Sequence, residues 1–456
     1  MSTRRHFLHT LGASALAGSA WLPLGRQAWA AAPANGAATP GARLVVVMLR
    51  GAADGLSIVA PWADPRYAAA RPQIALPRPG ADGGLIDLDG QFGLHPALRP
   101  LMPLWQAGRL GFVHASGSPD LTRSHFDAQD YMESGTPGRK STPDGWMNRL
   151  LGGLAPPPGV AAGSPTRALS VGTALPRIWA GPQPVANIGN GAGATRAAPL
   201  DRPAVEAAFS QLYQADPGLA ATWKDGREAR HEVMNALATP DAAPGKASGP
   251  ATGMAGGMAG PESMAMAGAD GQRLQSEMLA ANNGAPLPNG FPGDAARLGT
   301  LMRRDPAIQL GFMAVGGWDT HVRQGSSRGQ LTERLSPLGQ GLAALTTELG
   351  PVFEQTVIVV MSEFGRTVRQ NGNGGTDHGH GNVMWLMGGP VAGGRVMGRW
   401  PGLEDRALHE GRDLAVTTDF RAVLAGLCER HLRTSDALLQ RVFPSVPGGV
   451  LVSTRA

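Results

Sequence analysis

Three short polar knots hold the side chains of this chain best suited to chemistry. They are Thr122-Arg-Ser-His-Phe-Asp127, Gly316-Gly-Trp-Asp-Thr-His321, and the pair Ser362-Glu-Phe-Gly-Arg-Thr367 and Gly375-Thr-Asp-His-Gly-His-Gly-Asn382. Histidine and carboxylate gathered at strand ends, among glycines that let backbone approach closely, suit a metal or catalytic site. Asp319 and His321 flank one residue, so in an extended chain both face the same side and offer an oxygen and a nitrogen ligand to one ion. His378 and His380 share that spacing. Asp54, in Arg50-Gly-Ala-Ala-Asp54-Gly, and Glu363 are carboxylates placed just past apolar runs. Ser124 stands at an expected helix start, where the positive end of the dipole favours an alkoxide or a bound anion. A metal would lower its pKa further and make it a nucleophile.

Each of these residues also has a plainer reading. Asp54 could satisfy turn amides, Ser124 could be a simple N-cap, and a lone histidine is usually structural. Two separated Asp/His clusters with two strand-end carboxylates are harder to account for in that way, so a metal site is expected. Its ligands would come from Asp54, Asp319, His321, Glu363, His378 and His380. His125, Asp127 and Asp377 would support the ligands or meet substrate, and Arg50, Arg123 or Arg366 would clamp an anionic group.

Positioning these residues falls to alternating strands and helices. The run Arg43-Leu-Val-Val-Val-Met-Leu49 is continuously apolar after its first residue, the mark of a strand buried on both faces. Further strands are expected at 109–114, 168–171, 308–315, 356–361 and 383–387. Helices are expected near 98–107, 122–132, 331–349 and 418–432, with Ser124 or Thr122 capping the second. This alternation predicts a mostly parallel sheet covered on both faces. Residues 65–91 and 136–166 are expected to be substrate-facing loops.

The remaining segments limit the function. Residues 1–30 combine Thr3-Arg4-Arg5-His6-Phe7-Leu8, a short apolar stretch and Ala28-Trp29-Ala30, and so form an expected twin-arginine signal peptide. Its apolar stretch is too short and too interrupted to anchor the mature chain in a membrane. Removing Arg4, Arg5 and Arg26 with it lowers the formal net charge from +5 to +2, which gives nucleic-acid binding no support. Cys428 is the single cysteine, so disulfides within the chain and cysteine-based zinc sites are excluded. Residues 31–42 are expected to be a disordered leader, and 43–456 a single domain. A Gly/Ala/Met/Pro-rich stretch at about 240–271 is expected to be a flexible insertion. Its methionines could attract copper(I), although compositional drift explains them as well.

The motifs above, with Leu49-Arg-Gly-Ala-Ala-Asp-Gly-Leu56 and Ser118-Pro-Asp-Leu-Thr-Arg-Ser-His-Phe-Asp127, resemble a bacterial exported family called domain of unknown function 1501. That family is similar, more remotely, to the alkaline phosphatase superfamily. The resemblance implies an α/β fold, a three-layer α/β/α sandwich with a mostly parallel central sheet. It also implies one or two divalent ions, zinc or manganese. Asp54 would match the metal-binding aspartate after the first strand, and Ser124 the catalytic nucleophile. Asp319 with His321 would match the Asp/His metal pair, and His378 or His380 the last ligand. Glu363 falls where that superfamily carries Asp-His-Gly, and Phe364 replaces the histidine, which bears on the second ion. The expected function is hydrolysis of a phosphate, sulfate or related ester, on a small anionic substrate, by a protein that is periplasmic or secreted after export by the twin-arginine translocase. The main alternative is a non-catalytic exported metal-binding or assembly protein that keeps the fold; a metal-free serine esterase is a third reading.

Overall fold

The computed structural model describes residues 41–194, 199–238 and 269–446. The expected signal peptide lies outside them. So do the leader and the low-complexity insertion, apart from Gly41 and Ala42 and from 269–271, which begin a helix.

Among the described residues, nine strands build the main sheet: β1 (Arg43–Leu49), β2 (Leu110–Gly117), β3 (Ala168–Val171), β4 (Ala186–Ile188), β5 (Leu310–Val315), β6 (Thr356–Ser362), β7 (Asn382–Gly388), β8 (Val396–Met397) and β9 (Thr418–Asp419). Their order is β8-β2-β7-β6-β1-β5-β3-β4, with β9 also pairing β2. β1 lies at the centre, parallel to β5 and β6. Among these described strands, β7 alone runs antiparallel to its neighbours, β6 and β2.

The alternation within β1 shows why it is central. Val45, Val47 and Leu49 join one hydrophobic core, and Leu44, Val46 and Met48 join the other. Period-two geometry sends successive side chains to opposite faces, so only a strand covered on both sides tolerates an unbroken apolar run. Helices α1 (Phe291–Arg304) and α2 (Gln330–Leu349) cover the first face through Leu298, Leu301, Leu335, Leu338 and Leu342. The second face is covered by helix Trp146–Gly153, through Trp146 and Leu150, and by helix Phe420–Arg430, through Phe420 and Leu424. The protein is thus a mixed α/β fold with a mostly parallel central sheet between helical layers.

Two expectations need correction. Residues 136–166 are not an open loop throughout, because Trp146, Met147 and Leu150 make 146–153 a core helix. The C-terminal helical region is two helices, the second being Asp436–Val442, which caps itself with Ser435. Among the described residues, no helix is long and apolar enough to cross a membrane.

Candidate metal centre

The C-terminal ends of β1, β2, β5 and β6 lie at one edge of the sheet, where open α/β folds bind ligands. Because β7 runs the opposite way, its beginning reaches the same edge and delivers the segment that holds His378. β5 leads to Asp319 and His321, and β6 to Glu363 and Arg366. The segment after β2 enters helix His125–Ser134, with His125 as its first residue and Ser124 as its N-cap.

His125, Asp319 and His378 each bring a ligand atom to within 4.8 Å of the others. His378 Nε2 lies 2.9 Å from His125 Nε2, 3.0 Å from His321 Nε2 and 3.2 Å from Asp319 Oδ1. His321 Nε2 is 3.0 Å from Asp319 Oδ1, and His125 Nε2 is 3.5 Å from Asp319 Oδ2.

The outer ring nitrogens fix the tautomers. His125 Nδ1 meets Glu363 Oε1 at 2.8 Å, His321 Nδ1 meets Asp377 Oδ1 at 3.1 Å, and His378 Nδ1 meets the Arg123 carbonyl at 2.9 Å. All three partners are acceptors, so each Nδ1 donates; a ring that is neutral then turns its Nε2 lone pair inward, and a protonated one donates from Nε2 to Asp319. Lone pairs facing one another and a carboxylate call for a cation. Carboxylate or carbonyl behind a histidine is also the arrangement that orients metal-binding imidazoles.

The local charges answer this demand in part. Burial alone would lower the His125 pKa, but hydrogen bonds to Asp319 and Glu363, with their charges, raise it to about 9. Burial would raise the Asp319 pKa, yet hydrogen bonds from His125, His321 and His378 and the charge of Arg366 hold it well below the usual carboxylate range. His378 is lowered by burial, which outweighs its bond to Asp319. The Phe364 ring is buried and packs 4.9 Å from His125 and 5.2 Å from His378, forming an apolar wall.

Asp54 is placed elsewhere. Its Oδ2 accepts from Arg71 Nη1 at 2.5 Å, Ser57 Oγ at 2.7 Å and Gln324 Nε2 at 2.7 Å, and its Oδ1 accepts from Arg71 Nη2 at 3.1 Å. A guanidinium takes the position expected of a metal ion. Glu363 stands behind His125 and not among the inner ligands: its Oε1 accepts from Gly51 N–H, His125 and Gln129. Gly51 permits this, since its φ is +113° and a Cβ there would sit 2.8 Å from the Asp319 amide nitrogen. His380 turns away from His378 and packs on His409 with ring centroids 4.6 Å apart, where burial lowers its pKa to about 4.

The three arginines expected to clamp an anion all pair with carboxylates, Arg50 and Arg366 in the interior and Arg123 partly at the surface. Arg50 pairs with Glu133 at 2.5 Å and donates to the Asn283 carbonyl. Arg366 donates to Asp319 Oδ1 at 2.6 Å and to Thr376. Arg123 bonds Glu410 and Asp413, both at 2.7 Å. Asp127 pairs with Lys140 at 2.8 Å, on the protein surface. Asp377 supports His321 and also accepts from Asn371. Ser124 is exposed, and its hydroxyl makes no cap bond to the helix it opens.

His125 therefore belongs to the inner group, where the sequence placed it among the supporting residues. Arg71, Gln129 and Gln324 were missed, because a buried polar partner leaves no periodic or motif signal. Comparison with curated proteins finds no match, and comparison with solved structures finds none. A family model does match, over residues 41–443, a span that takes in every residue of the centre; the chain belongs to the family described as protein of unknown function (DUF1501).

Proposed function

We propose that this chain is a metal-dependent hydrolase of phosphate, sulfate or related esters, with an alkaline phosphatase-like three-layer fold. In this reading it is exported by the twin-arginine translocase and acts in the periplasm or as a secreted protein on a small anionic substrate. The observation that carries the proposal is the inward convergence of imidazole Nε2 atoms on Asp319, with every Nδ1 committed outward. His125, His378 and Asp319 would hold the ion, with His321 beside them. An all-nitrogen-and-oxygen donor set suits zinc or manganese. One ion is proposed, not two, because Arg71, Ser57 and Gln324 already occupy Asp54.

When bound, the ion would supply Lewis-acid polarisation of an ester oxygen. The protein contributes position. Ser124 directly precedes His125, so nucleophile and ligand are set by adjacent residues at one helix start. The positive helix end favours negative charge developing on Ser124 Oγ. Glu363, Asp377 and the Arg123 carbonyl hold the imidazole rings in orientation.

The test is elemental analysis of protein exported in folded form, followed by a screen of phosphate and sulfate esters. Ser124→Ala should abolish turnover and keep the metal content. Full activity in that variant would remove Ser124 from the mechanism, and failure to bind zinc or manganese would remove the centre itself.

A specific observation favours a second reading, a non-catalytic metal-binding or assembly protein. Arg50 and Arg366 are buried and pair with the internal carboxylates Glu133 and Asp319, so neither is turned toward an incoming anion, and Arg123 holds Asp413 and Glu410 through Nη2. Metal binding without turnover on any ester selects that reading.

A further inference from the structure

We propose that Gln324 is a positioning residue that, through Thr376, fixes the guanidinium of Arg366 and with it the carboxylate of Asp319; this rests on the metal-centre reading above. Gln324 is fully buried and lies outside the cation-binding group. Its Nε2 donates to Asp54 Oδ2 at 2.7 Å, and its Oε1 accepts from Thr320 Oγ1 at 2.8 Å and Thr376 Oγ1 at 2.9 Å. Asp54, ionised and bound by Arg71, can only accept, and this sets which way the amide points.

The consequence passes along the chain of bonds. A threonine hydroxyl has one proton. Thr376 gives its proton to Gln324, so a lone pair is left for Arg366 Nε at 3.1 Å. The Thr376 carbonyl accepts from Arg366 Nη2, and Nη1 donates to Asp319 Oδ1 at 2.6 Å. All three guanidinium nitrogens are thereby held, and the Asp319 oxygen they meet is the one facing His321 and His378. The Asp54–Arg71 pair anchors the far end, with Arg71 also bonded to the Thr367 and Val368 carbonyls. Without the Gln324 oxygen, the Thr376 hydroxyl loses its acceptor and is no longer held in the orientation that meets Arg366 Nε.

The experiment titrates the full mature chain with Zn²⁺ in competition with a chromogenic chelator, and follows thermal unfolding of the metal-free protein as a check on folding. Gln324→Met should fold and bind zinc up to roughly 10-fold more weakly, the low end of the loss that follows removal of a direct outer partner of a metal ligand, because Gln324 acts through Thr376 and Arg366. Thr376→Val should weaken binding in the same way, and Thr376→Ser, which restores the hydroxyl, should recover it. Zinc affinity within about twofold of wild type in a folded Gln324→Met, or in Thr376→Val, would overturn the proposal. If Gln324→Met does not fold, the Thr376→Val and Thr376→Ser pair decides alone. A wild-type chain that binds no zinc overturns the metal-centre reading as well, and shows this before any variant is made.

Discussion

Asp54 and Asp319 both follow central strands of one sheet and both lie buried at the same edge, yet their surroundings differ in kind. Around Asp54, donors match acceptors: Arg71 supplies a full positive charge and two hydrogen bonds, and Ser57 and Gln324 complete the set. Around Asp319, acceptors exceed donors. Arg366 is fixed nearby, but three imidazoles present Nε2 atoms inward while their Nδ1–H groups are committed to outer partners. A carboxylate at a strand end is therefore not enough to mark a cation site; the balance of protons and lone pairs around it is what separates a closed ion pair from an open centre.

The strongest way to break this comparison is Arg71→Met. It leaves Asp54 charged, buried and uncompensated, and should lower the unfolding free energy by about 3–5 kcal/mol, read by urea denaturation. Adding Asp54→Asn should recover part of that loss. An unchanged urea midpoint in Arg71→Met would mean that the Asp54 pocket is not a closed pair. The second change, His378→Ala, should behave in the opposite way. Metal-free stability should stay within about 1 kcal/mol of wild type, while zinc affinity falls by more than the roughly 100-fold upper range of an outer-partner loss. Stability loss with intact zinc binding would reverse the assignment of the two regions.

A smaller effect separates structural histidines from the cluster. His95 and His114 are buried, and burial lowers each pKa to about 4 despite hydrogen bonds to backbone carbonyls. Their folded values lie below the unfolded value near 6.5, so the unfolded chain binds the extra protons. Stability should be fully present above about pH 6.5 and fall toward pH 4, by up to about 1.4 kcal/mol per pH unit for each histidine. Urea midpoints at several pH values across that window check this; a flat profile would show that these rings are not held neutral.

Much of the frame was legible because burial writes itself into composition. β1, β2, β6 and β7 all appear as apolar runs that fit strand length, and Asp319, His321 and His378 follow from strand ends and one-residue spacing. Other features left no such trace. The reversed direction of β7 depends on its neighbours and not on its own residues. Arg71 lies 17 positions after its partner Asp54 in an irregular segment with no periodic signal. The spacing rule failed for His380 because 378–381 is not a regular strand: Gly379 packs against the Arg366 carbonyl and Gly381 against the Leu414 carbonyl, both closer than a Cβ would allow. His125 reads from the sequence as a supporting residue and not a ligand, since only tertiary packing brings Glu363 and His378 to its ring.

The reversal of β7 has one more consequence. Because the chain climbs β6 and descends β7, Glu363, Arg366 and His378 belong to a single local connection that can form without long-range closure. His125, by contrast, joins Glu363 over a sequence separation of 238 and His378 over one of 253. An ion captured between them would act as a clasp on an otherwise open ring of chain. Its binding free energy would be added to the cohesion of the whole molecule, in proportion to the logarithm of its free concentration once the centre is filled.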